Sequence, residues 1–217
     1  MAEIDLMKYY PRTQKPIESR AAVSKDDMRV ARKFERDYFD GDRKYGYGGY
    51  FYNAKFWSKT VKYIKEYYSL PNNASILDVG CGKGFMLNDF KVLMPEVHVT
   101  GIDISNYAYE HALPNIKPYI KIGNAKKLPF PDKSFDLVIG INVVHNLALR
   151  ECKQAIKEIE RVSRLNKFIV VDAWRNKEEL IRHNKWVVTC KTAMHVSEWS
   201  KLFDEVGYSG DYYWTFS

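Results

Sequence analysis

The sequence predicts an α/β fold, a doubly wound and mostly parallel sheet with helices on both faces. Three observations carry this. After residue 74, short apolar strands alternate with helical patterns. Stretches such as Phe135-Asp136-Leu137-Val138-Ile139-Gly140-Ile141 are almost continuously apolar, as strands buried on both faces are. And Ile76-Leu77-Asp78-Val79 stops at three glycines spaced two apart, Gly80, Gly82 and Gly84, before a helical pattern resumes. Glycine at alternate positions removes Cβ atoms from that turn, so a bulky ligand can lie against bare backbone, facing the free N–H groups of the next helix.

The elements follow in order. Residues 1–20 are polar, with Pro11 and Pro16, and read as extended or partly disordered. Ser24-Lys25-Asp26-Asp27 followed by Met28, Val30, Ala31, Phe34 and Phe39 predicts a capped helix over 24–40. An aromatic, glycine-rich loop follows, Asp40 to Tyr52, and then a helix from Phe56 to Leu70 with Trp57, Val61, Ile64 and Tyr68 at helical spacing. Strands are expected at 75–79, 97–102, 118–122, 135–141, 167–172 and near 211–216; helices at 84–93, 105–111, 149–163 and 197–206. Trp186 to Cys190 reads as a strand or as part of a cover over the site. The organisation is thus a single domain: an extension over 1–73, including a lid, and a ligand-binding core over 74–217.

Composition narrows the class. Apolar residues make up 46% and charged residues 28%, as in a globular protein. No apolar run approaches the roughly 20 residues that span a bilayer, and Met1 to Lys8 lacks the order of a secretion signal. The cysteines, Cys81, Cys152 and Cys190, are odd in number and lack paired metal-ligand spacing; they read as reduced thiols of a cytoplasmic protein, with no metal expected. The net charge of +7 is interleaved with acids, so it reads as a solvated surface rather than a nucleic-acid footprint.

The ligand is narrowed by what surrounds the glycines. The spacing is Gly-x-Gly-x-Gly, not the Gly-x-Gly-x-x-Gly of a dinucleotide site, and Asp78 precedes it. A carboxylate there would repel a pyrophosphate; it could instead order the glycine turn or favour a positively charged ligand group nearby. Asp103, in Gly101-Ile102-Asp103-Ile104-Ser105 at the next strand end, can accept two hydrogen bonds from a ribose diol. Gly123-Asn124-Ala125 follows the third strand, and Leu128-Pro129-Phe130-Pro131-Asp132 with Ser134-Phe135-Asp136 leads into the fourth and on to Asn142-Val143-Val144-His145-Asn146.

In order and spacing these segments resemble the class I S-adenosylmethionine-dependent methyltransferases, from residue 74 to about 210. Asp40 to Trp57 is similar to an uncharacterised bacterial small-molecule subgroup that shares a Gly-Asp-Arg-x-Tyr-Gly-Tyr-Gly-Gly segment. The resemblance implies a Rossmann-like sheet of six or seven strands in the order 3-2-1-4-5-(7)-6, with S-adenosyl-L-methionine as the methyl donor. It implies that Gly80, Cys81, Gly82 and Gly84 surround the methionine part of the donor while Asp78 holds the turn. Asp103 would bind the ribose, Ile104 would pack on the adenine, and Asn124 and Ala125 would meet its edge. Asn142 and Val143 would line the sulfonium end. Two departures stand out: Asn124 occupies a position often filled by Asp, and only ten residues follow Gly207 where two edge strands are usual.

Methyl transfer from a sulfonium needs alignment and exclusion of water, and a base only when the acceptor holds its proton. His145, after the fourth strand, is the candidate base and His195 the second; His98, His111 and His183 read as surface or helix positions. Tyr45, Tyr47, Tyr50 and Tyr52 are candidate lid residues. Arg43, Lys44 and Arg175 are candidate anion ligands, and Asp172 and Trp174 border the pocket. Cys81 reads as a small spacer, and Met28, Phe34, Trp57 and Trp199 as core. The expected activity is methylation of an oxygen or nitrogen on a small molecule, a sugar or an anionic metabolite, by a monomer or homodimer. An RNA or protein methyltransferase, suggested by a pI near 9.1, and a non-catalytic cofactor-binding subunit are the alternatives.

Overall fold

The computed structural model describes residues 1–11, 23–46 and 49–216. Its centre is a parallel sheet built from β1 (Ser75–Val79), β2 (His98–Asp103), β3 (Ile120–Ile122), β4 (Phe135–Ile141), β5 (Ser163–Trp174), β6 (Met194–His195) and β7 (Asp211–Thr215). The spatial order is β3-β2-β1-β4-β5-β7, and the two-residue β6 pairs with the far end of β5. This is the Rossmann-like order the motifs imply, and the strand expectations at 75–79 and 135–141 coincide with β1 and β4.

Period-2 alternation sends successive side chains into two cores. Ile76, Phe168 and Val170 pack on one face against Val61 and Ile64 of α3 (Ala54–Tyr67) and Phe90 of α4 (Phe85–Leu93). Leu77, Val79, Ile169 and Val171 pack on the other, against Ile156 and Ile159 of α6 (Leu149–Val162) and Trp199 and Phe203 of α8 (Val196–Val206). Trp199, read as core, is fully buried. A short helix, α5 (Asn106–Glu110), follows β2, and α7 (Lys177–Trp186) follows β5. Sequence reading gave no element at α7, where charged and polar residues mask a weak apolar stripe.

The front of the chain departs most from expectation. The helix over 24–40 is broken into α1 (Lys25–Ala31) and α2 (Arg36–Asp40), because Phe34 adopts a left-handed φ of 53° that no helix accommodates. Residues 2–10, read as extended or partly disordered, are built in. Leu6 and Met7 enter the same core as Ile64 and Phe90. The Ile4 N–H donates to the Tyr212 carbonyl (2.9 Å) and the Tyr212 N–H to the Ala2 carbonyl (3.0 Å). The short C-terminus supplies one parallel edge strand, β7, and the outer edge of β7 is bonded by the N-terminal segment rather than by a hairpin. This covers an edge that would otherwise offer unpaired backbone.

Candidate functional site

The carboxyl ends of β1, β2, β4 and β5 open into a cleft of about 1290 Å³, where parallel sheets of this type place ligands. One half of it is the glycine turn. The N–H groups of Gly80 and Cys81 donate to the Ile102 carbonyl (2.7 and 3.2 Å), tying the turn to β2. Gly80 has φ 77°, and a Cβ there would lie 2.6 Å from the Val143 side chain, so only glycine fits. The Gly82 N–H donates to Asp103 Oδ2 (2.7 Å) and the Ser105 N–H to Asp103 Oδ1 (2.9 Å), which fixes the carboxylate at the cleft wall.

Two buried carboxylates therefore face one cavity. Burial, with the neighbouring Asp103 charge, pushes the Asp78 carboxyl up to about 8. Burial raises Asp103 as well, against the N–H groups of Ser105, Gly82 and Ile104 that favour its ionised form. A donor set of this kind suits a ligand carrying a cationic group and a diol, which is the chemistry of S-adenosylmethionine. Cys81 is buried and its thiol is pushed well up by burial and by both carboxylates. A Cβ on Gly101 would meet its sulfur at 2.6 Å, so Cys81 is a spacer locked against β2. Ile104 stands 54% exposed at the cleft rim, an apolar platform in the open, with Asn124 and Ala125 nearby on the same wall. Asn124 Oδ1 accepts from the Lys126 N–H (3.0 Å).

The other half of the cleft is assembled from distant segments. Asn142 directly follows β4 with φ 55°, a conformation asparagine tolerates, and its Oδ1 accepts from the Thr215 hydroxyl (2.8 Å). His145 is buried, and its Nδ1 accepts the backbone N–H of Asp172 (2.9 Å). Its carbonyl accepts the N–H groups of Lys191 and Thr192 (2.9 Å each), and the Thr192 hydroxyl donates to the Leu147 carbonyl (2.8 Å). Burial lowers the His145 pKa; the Asp172 carboxylate opposes this and His183 adds to it. The neutral ring thus carries its proton on Nε2, 3.5 Å from Asp172 Oδ2, and the Nδ1 lone pair is already engaged. In this geometry His145 braces the ends of β4 and β5 and offers no lone pair to an acceptor.

The extension roofs this half, though not through the expected tyrosines. Phe34, Tyr38, Phe39, Arg43 and Gly46 face the cleft, and so does Trp57. Phe34 is a half-buried cleft residue rather than core, whereas Trp57 packs against the core and lines the cleft as well. Tyr45, Tyr50 and Tyr52 stand off the cleft: Lys44 lies over the Tyr45 ring, and the Tyr50 hydroxyl donates to the Gly41 carbonyl (3.1 Å). The Tyr52 hydroxyl donates to Asp89. Tyr47 lies outside the described residues. Sequence reading passed over the latch that holds the roof. Lys83, 3% exposed inside the glycine turn, donates to Asp40 (2.5 Å) and to the Tyr50 carbonyl (2.9 Å), and the Tyr107 hydroxyl donates to the other Asp40 oxygen (2.8 Å). A lysine between two motif glycines was the available signal.

The residues beyond Asp172 divide. Asp172 faces the cleft. Trp174 packs beside His183, and Arg175 stacks over Phe216 with its guanidinium 4.0 Å from the ring centroid. His195 caps α8, its Nδ1 accepting from the Ser197 N–H (3.2 Å) and its Nε2 3.0 Å from the Arg175 carbonyl. None of these three lines the cleft. Residues 187–190 form no strand; Trp186 to Thr189 cover the cleft beside Tyr38 and Phe34. Arg32 ties this cover to the extension by donating to the Cys190 carbonyl (2.9 Å). His183, read as a surface or helix position, is a helix residue that is 95% buried.

Comparison with known proteins agrees with this architecture. Residues 77–171 match the family described as a methyltransferase domain. A tRNA (carboxymethyluridine(34)-5-O)-methyltransferase of Arabidopsis thaliana is 31% identical over 151 residues, 66% of this chain and 33% of that protein. A demethylmenaquinone methyltransferase of Symbiobacterium thermophilum is 33% identical, over 57% of this chain and 52% of that one. The chain thus spans a third to about half the length of these curated relatives. Among solved structures, the YcgJ protein of Bacillus subtilis superposes with a TM-score of 0.56 at 21% identity, over 67% of this chain and 66% of that one. A methyltransferase structure from Bacillus halodurans gives 0.54, also at 21% identity, over 68% of each. Among the described residues, no helix is long and apolar enough to cross a membrane. With motif, strand order and family match in agreement, the chain carries a methyltransferase domain over residues 77–171 on the class I fold, whose members use S-adenosyl-L-methionine.

Proposed function

We propose that this protein transfers a methyl group from S-adenosyl-L-methionine to an oxygen or nitrogen of a small molecule, a sugar or an anionic metabolite, in a reducing cytoplasm. The observation that carries the small-molecule reading is the roof. The extension and the 186–189 cover meet over the acceptor half, leaving a roofed, aromatic-walled cleft that suits a compact acceptor better than a polymer. Arg43 stands at its edge, a cation for a negatively charged group.

In this reading Asp103 accepts the ribose hydroxyls, Asp78 and the turn of Gly80, Cys81, Gly82 and Gly84 hold the methionine end, and Ile104, Asn124 and Ala125 receive the adenine. Asn142 and Val143 lie at the sulfonium end, facing the acceptor. The donor brings an activated methyl, so the chain's own task is to align the acceptor in line and to keep water out, worth about 7–11 kcal/mol in favourable cases. His145 enters as a positioning residue, not as a base. An acceptor that ionises or is already nucleophilic at neutral pH needs none, whereas a sugar hydroxyl would have to give its proton to a group other than His145. Calorimetry with S-adenosylhomocysteine tests the donor site, and incubation of a metabolite extract with methyl-labelled donor tests the acceptor class. Label entering only RNA or protein would overturn the small-molecule reading.

The formal charge of +7 and the similarity to a tRNA enzyme favour RNA as the second reading. RNA binding whose affinity falls steeply with salt would support it.

A further inference from the structure

Beneath the acceptor side of the cleft lies a cluster that the methyl-transfer reading leaves unused. Asp172 lies two residues before the end of β5, His183 lies on α7 and Cys190 directly follows the cover. One donor atom from each lies within 4.8 Å of the others. Asp172 and His183 are 7% and 5% exposed, and Cys190 is half-buried. Both ring nitrogens of His183 are buried without a hydrogen-bond partner, and Nε2 stands 4.0 Å from Asp172 Oδ2. A buried imidazole with neither nitrogen satisfied is costly, and a ligand at that point would offset that cost. His145 Nε2 lies 3.5 Å from the same Asp172 oxygen, placed as the outer partner that metal-binding carboxylates carry.

We propose that Asp172, His183 and Cys190 form a site for a divalent metal ion of the zinc class, closing the cover onto the end of β5. One carboxylate oxygen, one imidazole nitrogen and one thiolate sulfur is a donor set that suits zinc and excludes magnesium or calcium, which take oxygen ligands. The Cys190 thiol now donates to the Thr192 carbonyl at 3.3 Å. On binding, its S–H bond breaks, the proton leaves to solvent and the sulfur–metal bond forms. Zinc bonds of about 2.0–2.3 Å require the three donors to draw together from their present spacing. The segment that must move is the 187–192 loop rather than the sheet. Three protein ligands leave a fourth position, and Asp172 borders the cleft, so that position is reachable by water from the acceptor side. The spacing Asp-x10-His-x6-Cys matches no paired-cysteine pattern, which is why the sequence pointed away from a metal. The site does not depend on which acceptor is methylated.

The test uses metal alone on the full chain. After chelator treatment and gel filtration, the protein is expected to take up one zinc per chain. Loaded with cobalt(II), it is expected to show a thiolate-to-cobalt charge-transfer band with the strong visible absorption of low coordination number. The band should survive in Cys81→Ser and Cys152→Ser and vanish in Cys190→Ser. His183→Gln should weaken zinc retention at least tenfold while leaving S-adenosylhomocysteine binding within twofold. No zinc uptake by the wild-type chain, or a cobalt spectrum with six-coordinate weakness and no thiolate band, would overturn the proposal. So would a band that persists in Cys190→Ser. If Cys190→Ser fails to fold, loss of the band in either of the other two cysteine variants counts against the site, and its retention in both assigns it to Cys190.

Discussion

The two halves of the cleft are built in opposite ways. The donor half comes from about fifty consecutive residues, Asp78 to Ala125, held by backbone bonds between neighbouring strands: Gly80 to Ile102, Gly82 to Asp103. The acceptor half is gathered from Arg32–Gly46, His145–Leu147, Trp186–Thr192 and Tyr213–Phe216, held by side chains that cross long stretches of sequence. A site made locally constrains residue types at fixed spacing, whereas one made by convergence constrains only the final shape. Changes in the donor half should therefore act on donor affinity, and changes in the acceptor half on the stability of the roof and cover.

Asp103→Ala should show the largest effect. It removes the carboxylate proposed to hold the ribose and the acceptor of the Gly82 N–H. With charge-assisted hydrogen bonds worth about 1.5–3 kcal/mol each, S-adenosylhomocysteine should bind about 100-fold more weakly, and Asp103→Asn about tenfold. Unchanged affinity on calorimetry would remove Asp103 from the donor site. Lys83→Met comes next and crosses the divide, since this donor-half lysine holds the acceptor-half roof. Losing its buried contact with Asp40, which keeps Tyr107, should cost about 2 kcal/mol in urea denaturation. It should also speed protease cleavage between Gly41 and Tyr52. Equal cleavage of both proteins would show that the latch does not hold the roof.

The same contrast explains what the sequence disclosed. β1, β4, the glycine turn, Asp78 and Asp103 were legible, because strand burial and φ-positive turns each demand a narrow set of residues. The break at Phe34 was not, since nothing local to Lys33-Phe34-Glu35 forbids a helix and the cleft contact that favours it is remote. Tyr38, Lys83 with Asp40, and the Asp172–His183–Cys190 cluster were invisible for the same reason: their partners lie far away in the chain. The tyrosine loop was overread. Tyr45 and Tyr50 stay on the extension and Tyr52 packs on Phe85 of α4, while Phe34, Tyr38 and Arg43 face the cleft. At the C-terminus, the short tail was legible as a departure, but its repair by Ala2 and Ile4 depends on two chain ends meeting.

A pH titration separates the halves with a smaller effect. Asp78 keeps its proton up to about pH 8 in the folded chain, against about 3.9 when unfolded. Its contribution to stability is therefore fullest below about pH 4 and is lost as pH rises towards 8, because the buried charge must then be tolerated. A cationic donor reverses the preference by favouring the ionised form. S-adenosylmethionine affinity should thus rise by up to about tenfold per pH unit, levelling near pH 8, with release of one proton. Calorimetry in two buffers of different ionisation enthalpy reads that proton directly. Absence of proton release at neutral pH would show that Asp78 does not meet the cationic end.

The smallest effect bears on His145, where positioning and base catalysis make opposite forecasts. As a brace, its work is done by Nδ1, which accepts the Asp172 N–H. Asparagine places a carbonyl oxygen close to that point, whereas alanine leaves the buried N–H without an acceptor. His145→Asn should therefore be more stable than His145→Ala by about 1 kcal/mol in urea denaturation. Both should bind S-adenosylhomocysteine within about twofold of wild type, as residues of the acceptor half, given that only a donor-half contact reaches the ribose or the methionine end. A base would behave differently. Asparagine cannot take a proton, so both variants would lose about 10²–10⁴ in kcat equally, whatever their stability. Activity that tracks stability across His, Asn and Ala assigns the brace. Activity lost alike in Asn and Ala returns the residue to the chemistry and shows that the Nδ1 contact opens when the acceptor binds.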